Sequence, residues 1–225
     1  MTRNLHLPRR PGLILAVAAL SAVAPLVVGL GGCAKMFTTP PRPLFQLSAP
    51  TDLPANLPRT TAQILIDAPY APEGIEPRRI AVVRATNGLD YLADGDWADR
   101  TPALVRAVLV ETFENSKSVA AVGPDSLDLR ADFEIEGDLR HFEAVYDSPD
   151  AKTAGAPTIW VALAVKLVKV PERKILAQTT ISVRQPAAAN ATAQIVEAFN
   201  EATASVAKQV LQWTLTNPAL SAPRK

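Results

Sequence analysis

Side chains suited to acid–base, nucleophilic or metal chemistry are scarce in this 225-residue chain, where His6 and His141 are the two imidazoles and Cys33 the one thiol. His141 stands in the string Asp138-Leu139-Arg140-His141-Phe142-Glu143. A general base needs a nucleophile to deprotonate and a carboxylate to orient it. The local sequence does not supply that constellation, so a solvated or hydrogen-bonded surface imidazole is expected. Asp90, Asp94, Asp96 and Asp99 form an acidic cluster. It lacks the glycine at six and glutamate at twelve of a calcium-binding loop, and reads as a polar turn ahead of a helix. Glu134, Glu136 and Asp138 recur every second residue, which is the solvated face of a strand. Six isolated glycines follow residue 32, too sparse for a phosphate-cradling loop. A single cysteine excludes an intramolecular disulfide and a thiolate-rich metal site. No catalytic, cofactor-binding or metal-ligating set is therefore expected. Trp97, Trp160 and Trp213 are expected to pack in the core rather than touch lipid. Lys and Arg total 23 against 22 Asp and Glu, which leaves no cationic surplus for a nucleic-acid partner.

Cys33 has a distinctive setting. Arg3, Arg9 and Arg10 precede an 18-residue stretch, 13–30, without charge, and Leu30-Gly31-Gly32-Cys33 follows. The length alone would permit a membrane-spanning anchor with an incidental cysteine. The basic start, the apolar run and the small residues before the thiol favour a cleaved export signal. The string resembles the bacterial lipobox. That resemblance implies diacylglycerol on the Cys33 thiol, cleavage before it and acylation (palmitate) of the freed amine. Residues 1–32 would then be a lipoprotein signal peptide, and 33–43 the lipidated cysteine with a Pro-rich tether. The remaining chain has 20 basic and 22 acidic residues and His141 as its sole imidazole. Two or more acyl chains hold a protein on a membrane without spanning it. Ala34 is not the aspartate of an inner-membrane retention signal, so the expected location is the outer membrane, periplasmic side.

The elements downstream must position whatever the domain presents. Nine of the twenty prolines lie between 40 and 77, and the apolar strings 44–47 and 63–67 between them read as short edge strands. Residues 80–83 read as a buried strand. Thr101 followed by Pro102 reads as an N-cap and first turn, and Leu104, Val105, Val108, Leu109 and Phe113 carry a helix over 102–116. A short strand should end at Gly123-Pro124. A long strand should start at Ala131 and slip phase between Arg140 and Phe142, as a bulge would require. Residues 158–170 and 175–184 alternate strictly and form a hairpin, with Ile175, Ala177, Thr179, Ile181 and Val183 in one phase. Asn190 should cap a helix reaching Leu215, with Ile195, Phe199, Ala202, Val206, Val210 and Trp213 as its buried stripe. The expected fold class is α+β, a mixed, mostly antiparallel sheet with two helices packed on one face.

Several strings together are similar to the ABC-type transport auxiliary lipoprotein family: LFQL at 44–47, PRRIAVV, the stretch from Tyr91 through Trp97-Ala98-Asp99 to Ser116, RADFEIEGDLRHFEAVY, and Ala198-Phe199-Asn200 through Trp213. Phe45 stands where tyrosine is commoner. The resemblance implies a domain over 44–216, a tail over 217–225, and no transferable catalytic or metal residue. It further implies an outer-membrane lipoprotein accompanying an MCE (mammalian cell entry) domain protein, a permease and an ATPase. The implied task is carriage of phospholipid or another hydrophobic molecule between the two membranes. The alternative class is a structural or assembly lipoprotein that stabilises the envelope without cargo. Either use allows lateral association of copies into a closed ring, a homo-oligomer.

Overall fold

The computed structural model describes residues 41–85, 88–125, 130–150, 154–170 and 172–221. Cys33, the signal segment and most of the tether lie outside the described residues. In chain order the elements are β1 (Leu44–Phe45), β2 (Gln63–Ile66), β3 (Arg79–Arg84), β4 (Leu89–Trp97), α1 (Thr101–Ser116), β5 (Ala121–Pro124), β6 (Phe133–Tyr146), β7 (Thr158–Lys169), β8 (Lys174–Pro186), α2 (Thr192–Leu215) and α3 (Pro218–Ser221). The class is α+β, an eight-stranded mixed sheet with the long helices α1 and α2 packed against it.

β6 is the strand on which the sheet branches. One edge pairs antiparallel with β7 along nearly its full length. The other edge is shared: β2 lies parallel to Phe133–Ile135, Tyr70 bridges to Asp138, and β3 lies parallel to Ala144–Tyr146. β7 and β8 complete an antiparallel meander. β5 then joins β2, and β4 and β1 extend β3. The expected antiparallel bias holds for the long ladders only. By strand pairs the sheet is parallel in four of seven, because the short N-terminal strands dock onto β6 and its neighbours from far away in sequence.

Two other expectations about strands are corrected. Residues 63–67 are not an edge, because β5 adds outside β2 and places it between two partners. The acidic stretch from Asp90 is strand β4, not a turn: it pairs antiparallel with β3, and the Arg79 guanidinium lies 3.9 Å from the centre of the Tyr91 ring. Cross-strand pairing of this kind outweighs the poor strand propensity of aspartate.

Both helix caps also differ from expectation. Arg100 occupies the N-cap of α1 without a side-chain hydrogen bond. Thr101 instead donates its hydroxyl to the Pro77 carbonyl at 3.1 Å, so the chain entering β3 takes the group that would have capped the helix. Ala191 caps α2. Asn190 accepts from the Tyr146 hydroxyl at 2.7 Å and donates to the Ala154 carbonyl. In β8 the register with β7 shifts at Leu176, which moves Ile175 out of phase and leaves it 51% exposed.

The core lies between the helices and the inward residues of the sheet. Ile159, Val161, Leu163, Val165 and Leu167 of β7 face Ile195, Phe199, Ala202, Val206 and Val210 of α2, all buried. Trp97, Phe142 and Phe199 meet at its centre with ring centroids 5.0–5.8 Å apart. Trp97 is core, as expected, while Trp213 is only partly buried. Between β1 and β2, residues 46–59 run as a strap tied to α2. The Ser48 amide donates to Asn200 Oδ1 at 2.8 Å, Lys208 bonds Asp52 at 2.9 Å, and Leu47, Leu53 and Leu57 pack against the core.

Candidate functional site

The bulge between Leu139 and His141 sets the chemistry of the sheet face turned away from the helices. Leu139 and Phe142 are both buried, three positions apart where an unbroken strand would place them on opposite faces. The extra residue restores the core phase and sends His141 and Glu143 to the open face. There they oppose Ala162 and Trp160 of β7, which in turn oppose Ser182 and Arg184 of β8.

These side chains form one network. Glu143, though on the open face, is 5% exposed. Its Oε2 accepts from the Phe142 amide and its Oε1 from His141 Nδ1, each at 2.6 Å. That second bond places the imidazole proton on Nδ1 when the ring is neutral. The ring stacks on Trp160 at 3.3 Å between centroids and 10° between planes. The Arg184 guanidinium lies 3.8 Å from the same ring centre. Two groups that close cannot share one face of an indole, so Trp160 is held between cation and imidazole. Its Nε1–H donates to Ser182 Oγ at 2.9 Å. Trp160 thus departs from the core role expected of it. The one signal in sequence was its parity: it falls in phase with Ala162 and Lys166 rather than with the core-facing residues of β7.

Further along the same face, Arg173 grips Glu134 and, at 2.7 Å, Glu136. Between the two networks lies a shallow groove of about 200 Å³ lined by Asp138, Arg140, Ala164, Lys166, Gln178 and Thr180. Near the start of β6, Asp67 is held above the ordinary carboxylate range, first by burial and then by the negative charge of Asp125 and Glu134.

His141 has its orienting carboxylate, yet among the described residues no hydroxyl or thiol is hydrogen-bonded to the ring. Ser182 instead takes the indole proton. The acids between Asp90 and Asp99 are dispersed: Asp90 accepts from the Tyr91 amide, Asp96 lies 3.7 Å from Arg42, and Asp99, beyond the end of β4, accepts from the Arg100 amide. Among the described residues no three His, Cys, Asp or Glu side chains gather to hold a metal ion. No described helix is long and apolar enough to cross a membrane.

The domain thus presents one open, side-chain-networked sheet face and an opposite face covered by helices. The chain belongs to the ABC-type transport auxiliary lipoprotein component family, whose model matches residues 45–211. That family is defined by a transport role and not by a catalysed reaction. A protein of Bradyrhizobium diazoefficiens, bll6063, is 27% identical over 177 residues. The match covers 76% of this chain and 44% of that protein, so the chain spans less than half the length of this relative. The crystal structure of XCC0632 from Xanthomonas campestris is similar at a TM-score of 0.67 and 26% identity, over 76% of this chain and 94% of the other. A second crystal structure shares the fold at a TM-score of 0.59 and 10% identity, over 78% and 99% of the two chains.

Proposed function

We propose that the protein is the lipid-anchored, periplasm-facing auxiliary subunit of an MCE-type ABC transport system that moves phospholipid or another hydrophobic molecule between the inner and outer membranes. The family match over 45–211 carries this reading. Cys33 is the lipidated residue in this proposal, and the outer membrane is where the lipid sits. The domain acts by contact with the MCE protein and its permease and ATPase partners. The networked face of β6, β7 and β8 offers ordered polar and aromatic groups at little further entropic cost, the quality that binding surfaces need.

Photo-crosslinking from residues of this face in living cells tests the proposal, with protein and lipid adducts identified separately. Adducts to an MCE protein are expected. Adducts confined to cell-wall or unrelated envelope proteins would instead establish a structural lipoprotein. A chain lacking its anchor should still yield the MCE adduct but fail to restore envelope function. Full restoration would show that the anchor is dispensable.

A further inference from the structure

The bulge in β6 adds a second group to the open face besides His141. Leu139 opposes Leu163 and His141 opposes Ala162 of β7, so Arg140 is the residue left without an opposite. Its side chain is exposed and borders the groove of about 200 Å³ on that face. The other charged side chains of β6 are engaged: Glu134 and Glu136 by Arg173, Asp138 by Lys166 at 3.8 Å, and His141 and Glu143 by one another. Among the described residues the Arg140 side chain has no ionic or hydrogen-bonding partner. Across the groove, the Gln178 amide and the Thr180 hydroxyl of β8 are exposed and likewise unbonded among the described residues. Ala164 of β7 lies between Asp138 and Thr180, and its short side chain leaves the depression that the longer neighbours wall.

We infer that this groove binds a phosphate ester anion, of the kind a phospholipid headgroup carries, with Arg140 as its principal contact. Two cations, Arg140 and Lys166, stand against one acid, Asp138, so the groove has a positive charge to spare for an anion. A guanidinium presents a planar fork that meets two phosphate oxygens at once. Lys166, Gln178 and Thr180 add donors from β7 and β8. A carboxylate has two oxygens, too few for donors arriving from three strands, whereas a tetrahedral phosphate turns oxygens to all of them. The volume falls below the ~300–1,000 Å³ of sites that enclose a drug-sized ligand, so a headgroup fits and acyl chains stay outside. Tyr70 bears on where such chains would lie. Its parallel bridge to Asp138 carries the ring to the same face, where it is 71% exposed. Its amide donates to the Gly137 carbonyl at 2.8 Å and its carbonyl accepts from the Leu139 amide at 2.7 Å, so the ring projects from a fixed backbone. An amphipathic ring held beside the groove suits the boundary between a headgroup and its chains. Assigning the ester to a phospholipid rests on the transport reading, while the anion site rests on the groove.

The test titrates the full-length lipoprotein in dodecylmaltoside by isothermal calorimetry. The two probes are dihexanoyl phosphatidylglycerol and glycerophosphoglycerol, its deacylated headgroup. Saturable binding of the lipid is expected. Arg140→Ala should weaken it at least about tenfold through loss of charge-assisted hydrogen bonds, with an unchanged melting temperature because the side chain has no partner to lose. Gln178→Glu, nearly isosteric and exposed, sets a carboxylate in the groove and should weaken binding by a similar factor. Arg59→Ala removes an exposed cation of the strap and should stay within about twofold of wild type, since salt screens a distant charge. Tyr70→Ala should weaken the lipid and leave glycerophosphoglycerol unchanged. Glycerophosphoglycerol bound as tightly as the lipid would keep the site and assign it to a soluble ester. No saturable binding of either probe, or binding that Arg140→Ala and Gln178→Glu leave unchanged, would overturn the inference. Photo-adducts to the MCE protein are scored independently, so the transport reading can fail while the titration succeeds, and the reverse.

Discussion

Phe199→Ala probes the centre of the domain. The ring is fully buried and meets Trp97 at 5.2 Å and Phe142 at 5.0 Å between centroids. A buried phenylalanine removes roughly 150–250 Å² from water, worth about 4–6 kcal/mol at about 25 cal/mol per Å² as an upper bound. Truncations of this kind cost about 3–5 kcal/mol. Trp97 Nε1 is buried without a partner, and a water entering the new cavity to bond it would place the loss nearer the lower figure. At about 2–4 °C per kcal/mol for a domain of this size, the melting temperature should fall by ~6–20 °C. Circular dichroism melts of the detergent-solubilised protein measure this. Trp160→Ala, on the open face, serves as the comparison. It removes a stack and one hydrogen bond but opens no core cavity, and should cost about 1–2 kcal/mol. A Phe199→Ala melt within about 3 °C of wild type would refute the assignment of this ring to the core. If lipid or partner binding fell at the same time, Phe199 would belong to a contact surface instead.

Three further outcomes are expected. Cys33→Ala should accumulate as full-length precursor without acyl label, seen by metabolic labelling; normal processing in that variant would remove the lipidation assignment. Asp67→Asn should alter the pH dependence of stability. The folded-state pKa of Asp67 is raised above 3.8, so its contribution is fully present below that value and is lost as pH rises through the higher folded value. The variant should therefore gain on wild type as pH rises above about 4, read as urea midpoints, and a pH-independent difference would contradict the burial argument. Glu143→Ala leaves the Phe142 amide and His141 Nδ1 without their acceptor, at about 1–3 kcal/mol, while Glu143→Gln should recover part of the loss; equal melts for both would show that the carboxylate is not what orders the bulge.

The long elements were legible because their burial is one-sided. Strict alternation over β7 and the phase slip at Arg140–Phe142 in β6 translate directly into register. The four-and-three spacing from Ile195 to Val210 does the same for α2. β4 was hidden because aspartates occupy its open positions, and its strand character comes from β3 rather than from itself. The two caps were misread for a related reason. Thr101 and Asn190 are both good capping residues, but tertiary partners, the Pro77 carbonyl and the Tyr146 hydroxyl, hold their side chains. His141 and Glu143 were visible as neighbours. Trp160, Ser182 and Arg184 reach them only through the sheet, and no local pattern joins three strands.

The strap has a mechanical consequence. Its fastenings to α2, Ser48 to Asn200 and Asp52 to Lys208, join residues more than 150 positions apart. Chains are made N-terminus first, so these contacts form only after all eight strands of the sheet have been made. Residues 46–59 remain a loose cord until α2 exists to receive them. In the lipid-anchored form proposed above, the same layout makes the strap the first part loaded when the membrane pulls. Fourteen residues released from α2 would pay out about 50 Å of extended chain, a slack line that lets the body of the domain follow a moving partner while its meander stays intact.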